Sequence, residues 1–175
     1  MKDSSQEVYN RMNEQIHQEL AAWYAYLGMS IWCSKNYFAG FAKWLNSQAQ
    51  EEYLHAVKIQ QFLIDRGVKI TLKPIEEPRQ EYSSIIEIFE AALAQEQANS
   101  ASLNDIFQLA FEKKAYASVT ELQWFITEQV EEERTAQTNL AHIKMVASDP
   151  AAVLELDKSF GARETLFPVQ TEVEK

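Results

Sequence analysis

Apolar positions recur every three to four residues along four long stretches of the chain. Leu20, Trp23, Leu27 and Ile31 set this spacing in the first stretch, and Phe41, Leu45, Ile59 and Phe62 in the second. Ile85, Phe89, Leu93, Leu103 and Phe107 continue it in the third, and Leu122, Phe125, Ala136, Leu140 and Ile143 in the fourth. A period near 3.6 is that of a helix burying one face. Only four Gly and four Pro occur, and the Pro residues fall outside these stretches, so each helix can run long without interruption.

The boundaries follow from capping and turn chemistry. Ser4 with Glu7 forms a capping box opening a first helix that runs to about Ser34. A turn at Lys35 to Tyr37 leads into a second helix, ended by Gly67 after Arg66. Ser84 with Glu87 opens a third helix to about Phe111, and after a turn at Glu112 to Ala115 a fourth continues to about Ala147. Asp149 as N-cap and Pro150 at the first position start a short fifth helix ending before Gly161. Short turns make the first two helices antiparallel neighbours, and likewise the third and fourth. Val68 to Tyr82, with Pro74 and Pro78, shows no helical period. Those ~15 residues can extend ~50 Å, enough to travel back along a ~42 Å helix. The expectation is an all-α four-helix bundle with one long crossover between helices 2 and 3 and a short fifth helix. It forms one domain over 1–160, followed by a mobile 161–175 tail.

Each long stretch is interrupted by polar side chains where apolar ones belong. Glu19 and Tyr26 intrude in the first, Glu52 and His55 in the second, Glu96 in the third, and Gln129 with Glu132 in the fourth. A buried carboxylate without a partner costs several kcal/mol, which is comparable to the net stability of a domain. Four helices that each aim a ligand-type group inward are reconciled by a shared pair of cations. Four carboxylates, Glu19, Glu52, Glu96 and Glu132, balance two divalent ions. Mixed carboxylate and imidazole ligation suits iron or manganese and also admits zinc.

Charge and cysteine content narrow the partners. A net charge of −10 disfavours nucleic acid, which asks for clustered Lys and Arg. No apolar run approaches the ~20 residues of a membrane span, and the start of the chain lacks the apolar segment of a signal peptide. With a single Cys, Cys33, neither an internal disulfide nor a Cys-ligated zinc or rubredoxin-type site can form, and a cytoplasmic location is expected. Cys33, Trp32, Trp44 and Trp124 read as packing residues.

Longer motifs carry a family resemblance over residues 8–147. They are Asn13-Glu14-Gln15 leading to Glu19-Leu20, Ser30-x-Trp32-Cys33-Ser34, Ala49-Gln50-Glu51-Glu52-x-x-His55 and Glu81-Tyr82-Ser83-Ser84. Leu122-Gln123-Trp124 followed by Glu128-Gln129-x-Glu131-Glu132-Glu133 completes the set. In these the chain resembles the non-haem bacterial ferritins. Ferritin-like di-iron bundles draw one Glu from each of two helices and a Glu-x-x-His from each of the others. The fourth helix departs from that pattern, with Gln129 and Glu132 where a second Glu-x-x-His would stand.

The resemblance implies that Glu19, Glu52 and His55 hold one iron, and that Glu52, Glu96 and Glu132, with Gln129 nearby, hold a second. A third iron position would involve Glu51, Glu128, Glu131 and Glu132. Tyr26 would be the tyrosine beside the centre that supplies an extra electron. The implied activity is a ferroxidase: two ferrous ions bind, O2 or peroxide takes their electrons, and ferric mineral collects inside a shell of 24 subunits. Haem is not expected, because Tyr53 stands where the haem-binding relatives place a Met. Two alternatives stay open on the residues alone. One is a soluble di-iron or di-manganese redox enzyme such as a rubrerythrin-like peroxidase or manganese catalase, and the other a non-catalytic helical interaction module.

Overall fold

The computed structural model describes residues 5–162. Five helices appear, α1 (Gln6–Lys35), α2 (Ala39–Asp65), α3 (Ile85–Glu112), α4 (Tyr116–Val146) and α5 (Pro150–Gly161), and no strand among the described residues. The helix order and the bounds match the reading of the sequence to within a few residues. The capping box at Ser4 and the tail from 163 onward lie outside the described residues.

Helix directions follow from the side-chain contacts. Arg66 Nε donates to the Tyr9 hydroxyl at 3.1 Å and Ser30 Oγ to the Ala42 carbonyl at 2.7 Å, so α1 and α2 are antiparallel. Gln129 contacts Glu96 and Lys144 pairs with Glu90, which makes α3 and α4 antiparallel as well. The two tight turns place Tyr37 and Lys114 at positive φ, 67° and 56°, where the chain reverses within three or four residues. At the α2 C-terminus Gly67 takes φ 67°, a left-handed geometry that glycine adopts without steric cost.

The crossover, free of regular structure from Val68 to the Ser84 cap, lies along α1. Asn13 grips the Thr71 backbone through both N–H and C=O, at 2.9 and 3.0 Å, and His17 Nε2 lies 2.8 Å from the Thr71 oxygen. Further on, the Arg79 carbonyl would stand 3.1 Å from a Cβ at Gly28, and Lys35 reaches Glu81 at 3.6 Å. α3 then opens with the expected cap: Ser84 Oγ accepts from Glu87 N at 3.3 Å, while the Glu87 carboxylate accepts from Ser83 N at 2.6 Å. The Ser83 backbone N–H in particular lowers the Glu87 pKa to about 2.

α5 closes one end of the bundle by an arrangement the sequence did not reveal. Phe38 stands at the α2 N-cap, where it offers no capping oxygen. Asp157 of α5 supplies one instead, its Oδ1 accepting from Phe41 N at 2.8 Å. Gly40 makes this approach possible, because a Cβ there would fall 1.7 Å from the Asp157 carbonyl oxygen. Phe160 enters an aromatic cluster with Phe41, Trp44 and Phe89 at centroid distances of 4.8 to 5.7 Å. Burial of each such ring stabilises by about 1.5–3 kcal/mol.

The apolar interior is divided. One cluster, around Phe41, Leu45, Phe89 and Phe160, fills the α5 end, and a second, around Met12, Ile16, Ile59, Leu103 and Phe125, fills the other. Between them lies a belt of buried polar side chains: Gln15, Glu19, Glu52, His55, Glu96, Asn99 and Gln129. The inward face of α1 differs from the expected one. Val8, Met12, Ile16, Glu19, Tyr26, Met29 and Cys33 are buried, whereas Ile31 is 60% exposed and Leu20, Trp23 and Leu27 are only half-buried. Two apolar stripes run along α1, and the one bearing Leu27 and Ile31 lines a cavity of about 240 Å³ with Pro78 and Gln80 of the crossover.

Candidate metal centre

Helical spacing delivers the site. Glu19 and Tyr26 are two turns apart on α1, Glu52 and His55 one turn apart on α2, and Glu96 and Gln129 face each other from α3 and α4. The belt sits at mid-height, where every side chain must find its partners inside the bundle.

Glu19, Glu52 and His55 bring one donor atom each to within 4.8 Å of one another, and all three residues are buried. Glu52 Oε2 and His55 Nδ1 lie 3.4 Å apart and neither has a hydrogen-bond partner. Buried polar atoms are rarely left unpaired, and these two face the same point. A divalent cation satisfies both at once: two carboxylates and a neutral imidazole are a fitting donor set for iron, manganese or zinc.

Glu52 is central. Its carboxyl meets those of Glu19 and Glu96, and burial first, then the charges of Glu19 and Glu96, push its pKa well above the usual carboxylate range. Glu96 is raised by burial too, tempered by the Tyr26 hydroxyl, which donates to Glu96 Oε1, and by Gln129 Nε2, 3.3 Å from Oε2. The Tyr26 phenol is raised well above its ordinary value by burial and by the charges of Glu96 and Glu52. His55 is lowered by burial, which keeps its imidazole neutral and available as a ligand.

The α2/α4 edge is more open. Gln48 Nε2 donates to Glu51 at 2.8 Å and to Glu132 at 3.4 Å, joining these two carboxylates. Burial, with Glu96 and Glu51 close by, raises the Glu132 pKa to about 8. Glu51 is raised by burial and by Glu128. Glu128 is half-buried and Glu131 is exposed. Trp124, expected to pack, is 42% exposed and stacks edge-on against His55 at 5.6 Å. Cys33 is fully buried and its thiol is pushed up to about 12 by burial, in keeping with a packing role.

The structure places beside Glu19 two residues left without a role by the reading of the sequence. Gln15 Nε2 donates to Glu19 Oε1 at 2.8 Å, and Asn99 Nδ2 donates to Glu19 Oε2 at 3.0 Å. Their signal was legible in principle: Gln15 precedes Glu19 by one turn and Asn99 follows Glu96 by one, each a polar residue on a buried face.

An antiparallel-paired helical bundle with a long crossover and a buried Glu–Glu–His convergence at mid-height defines the class of carboxylate-lined metal-binding bundles. A family profile described as "Ferritin-like domain" matches residues 9–146. The bacterial non-heme ferritin of Staphylococcus epidermidis is 37% identical over 159 residues, covering 91% of this chain and 96% of that protein. Its counterpart in Staphylococcus aureus is 33% identical with the same coverage. Among solved structures, an open-pore ferritin from Archaeoglobus fulgidus superposes with a TM-score of 0.90 at 32% identity, covering 91% of this chain and 99% of that one. The chain belongs to the ferritin-like family.

Proposed function

We propose that the chain is an iron-storage ferritin whose mid-bundle centre oxidises Fe(II) and passes the ferric product to a mineral held inside a multi-subunit shell. Iron is the substrate here. The observation that carries the reading is the convergence of Glu19, Glu52 and His55, with Glu52 Oε2 and His55 Nδ1 both buried and unpaired. Membership of the ferritin family supports iron storage and ferroxidation.

On this reading Glu19, Glu52 and His55 hold one ferrous ion. Glu96 and Glu132 hold the second, with Gln129 alongside and Glu52 shared between the two. Glu51, Glu128, Glu131 and Glu132 offer a third position at the bundle edge. O2 or peroxide accepts the electrons, and Tyr26, bonded to Glu96, is placed to give one more. The neutral state of His55 and the ionised state of the glutamates are what the ions require, so loading displaces the protons that the raised carboxyls carry. No haem takes part.

The oligomer is a 24-subunit shell, and the domain spans 1–160. Among the described residues no helix is long and apolar enough to cross a membrane, and a cytoplasmic location fits the acidic composition and single cysteine.

Anaerobic titration with Fe(II), followed by oxygen exposure and sizing of the particle, tests the whole proposal. The expected result is two tightly bound ions per chain, Fe(II)-dependent O2 uptake and a particle of roughly half a megadalton, as 24 copies of 20.2 kDa require. A small free oligomer with O2 uptake would favour a soluble di-iron enzyme instead, and no uptake would leave a helical module without catalysis.

A further inference from the structure

Glu19 is the one ligand of the centre whose two carboxylate oxygens are each engaged by a buried amide, and those amides belong to a directed chain. Ser102 Oγ donates to Gln15 Oε1 at 2.6 Å. Gln15 Nε2 then donates both to Glu19 Oε1 at 2.8 Å and to Asn99 Oδ1 at 2.5 Å. Asn99 Nδ2 completes the circuit by donating to Glu19 Oε2 at 3.0 Å. Because the Glu19 carboxylate only accepts, the Gln15 nitrogen must face Glu19 and Asn99, which leaves the Gln15 oxygen to accept from the serine hydroxyl. Because Gln15 occupies the Asn99 oxygen, the Asn99 nitrogen must face Glu19. Each link fixes the next.

A glutamate carboxylate turns freely about its last bond, since that torsion is broad and two-fold. One donor on each oxygen, coming from two different helices, fixes its plane. Each oxygen has two lone pairs, and an amide takes only one, so the other remains for a cation on the Glu52 and His55 side. The neighbouring ligands are held differently: Glu96 by Tyr26 and Gln129, and Glu52 Oε2 and His55 Nδ1 by nothing in the protein. We propose that Gln15, Asn99 and Ser102 are positioning residues that hold Glu19 in its metal-binding orientation and thereby set the affinity of the Glu19–Glu52–His55 position. The proposal rests on the metal-centre reading above.

Co(II) calorimetry on the assembled protein tests it, since Co(II) reports binding without the oxidation step. The binding phase abolished by His55→Ala defines the position in question. Asn99→Leu keeps the branched heavy-atom skeleton but removes the donor to Glu19 and the acceptor for Gln15. It is expected to weaken that phase about 10- to 100-fold, the usual consequence of losing an outer-shell partner, with stoichiometry retained. Ser102→Ala, a smaller deletion in a half-buried position, is expected to weaken it in the same direction by about two- to tenfold, the equivalent of one neutral hydrogen bond, and decides the question should Asn99→Leu not assemble. Melting of the metal-free protein is measured alongside. Wild-type Co(II) affinity in the variants, whether or not metal-free melting falls, would overturn the proposal and leave a polar tie between α1 and α3. A wild-type chain that binds no Co(II) would instead remove the metal-centre reading itself.

Discussion

On the α1/α3 side of the centre, Glu19 has amides on both oxygens and is fully buried, and Asn99 and Gln15 behind it are buried too. On the α2/α4 side, Glu132 meets Gln48 at a long 3.4 Å and the Glu51 carboxyl, Glu128 is half-buried and Glu131 is exposed. The first side therefore prepays the ordering of its ligand, which favours tight binding. The second ties Glu51 and Glu132 only through Gln48 and leaves Glu128 and Glu131 in reach of water, which favours exchange. A storage protein needs both properties within one site, because its substrate must be captured and its product must leave. Glu52 lies between the two sides, and the strongest test of the contrast is to remove it.

Glu52→Gln is expected to have the largest effect. It keeps the volume but withdraws the charge that the proposed function shares between two ion positions, so the loss of affinity should exceed the ~10- to 100-fold typical of an outer-shell partner. Fe(II)-dependent O2 uptake should fall with it, and anaerobic titration should show fewer than two ions per chain. The same titration on His55→Ala should cost one position only. Equal losses in both variants would break the distinction between a shared and an unshared ligand.

The pH dependence of metal-free stability comes next in size. Glu132 is raised to about 8, and Glu52, Glu96 and Glu51 are raised as well, all chiefly by burial. A carboxyl with a folded pKa above its unfolded value near 4.3 binds its proton more tightly in the fold. Its contribution is complete below the unfolded value and is lost as pH rises through the folded one. His55, lowered by burial, acts in the opposite sense, but it is one group against four. The metal-free protein should therefore melt at progressively lower temperature from about pH 5 to pH 8. Co(II)-loaded protein should show the reverse trend, because the ion binds the deprotonated ligands. Thermal scans across that range, with and without Co(II), check both slopes.

Most of the architecture was legible because helical period and capping are local properties. Ser84 with Glu87, Asp149 with Pro150, and Gly67 marked helix ends that the structure reproduces. The burial of Glu19, Glu52, His55 and Glu96 was legible for the same reason, each being a polar intrusion at core spacing. Less visible was anything depending on contact between distant segments. Asp157 caps α2 across 116 residues of sequence, and Asn99 reaches Glu19 across 80. Asp157 does not depart from its local pattern by enough to announce a partner, and Asn99, though a polar residue on a buried face, gives no sign of which helix it reaches. The wrong choice of stripe on α1 has a related cause: with apolar residues on two faces, period alone cannot say which one the bundle buries.

Tyr26 and Glu131 supply the smaller tests, one from each side. Tyr26→Phe deletes a hydroxyl bonded to Glu96 without removing a ligand. Two ions should still bind, while the rate of Fe(II) oxidation or the decay of its product spectrum changes by about two- to tenfold, the equivalent of one hydrogen bond of ~0.5–1.5 kcal/mol; unaltered stopped-flow traces would rule out the electron-donating role proposed for Tyr26. Glu131→Gln should do least to capture. Its side chain is exposed, where a unit charge acts through water and is screened within about 10 Å at ordinary ionic strength. The first two ions should then bind and oxidise at rates within about twofold of wild type. If product leaves by the α2/α4 edge, an effect is expected only after the first turnover, when the centre must be refilled. Sequential additions of Fe(II) with an interval between them measure that recovery directly. If Glu131→Gln slows the first addition as strongly as the second, the open edge takes part in capture as well, and the division of labour between the two sides fails.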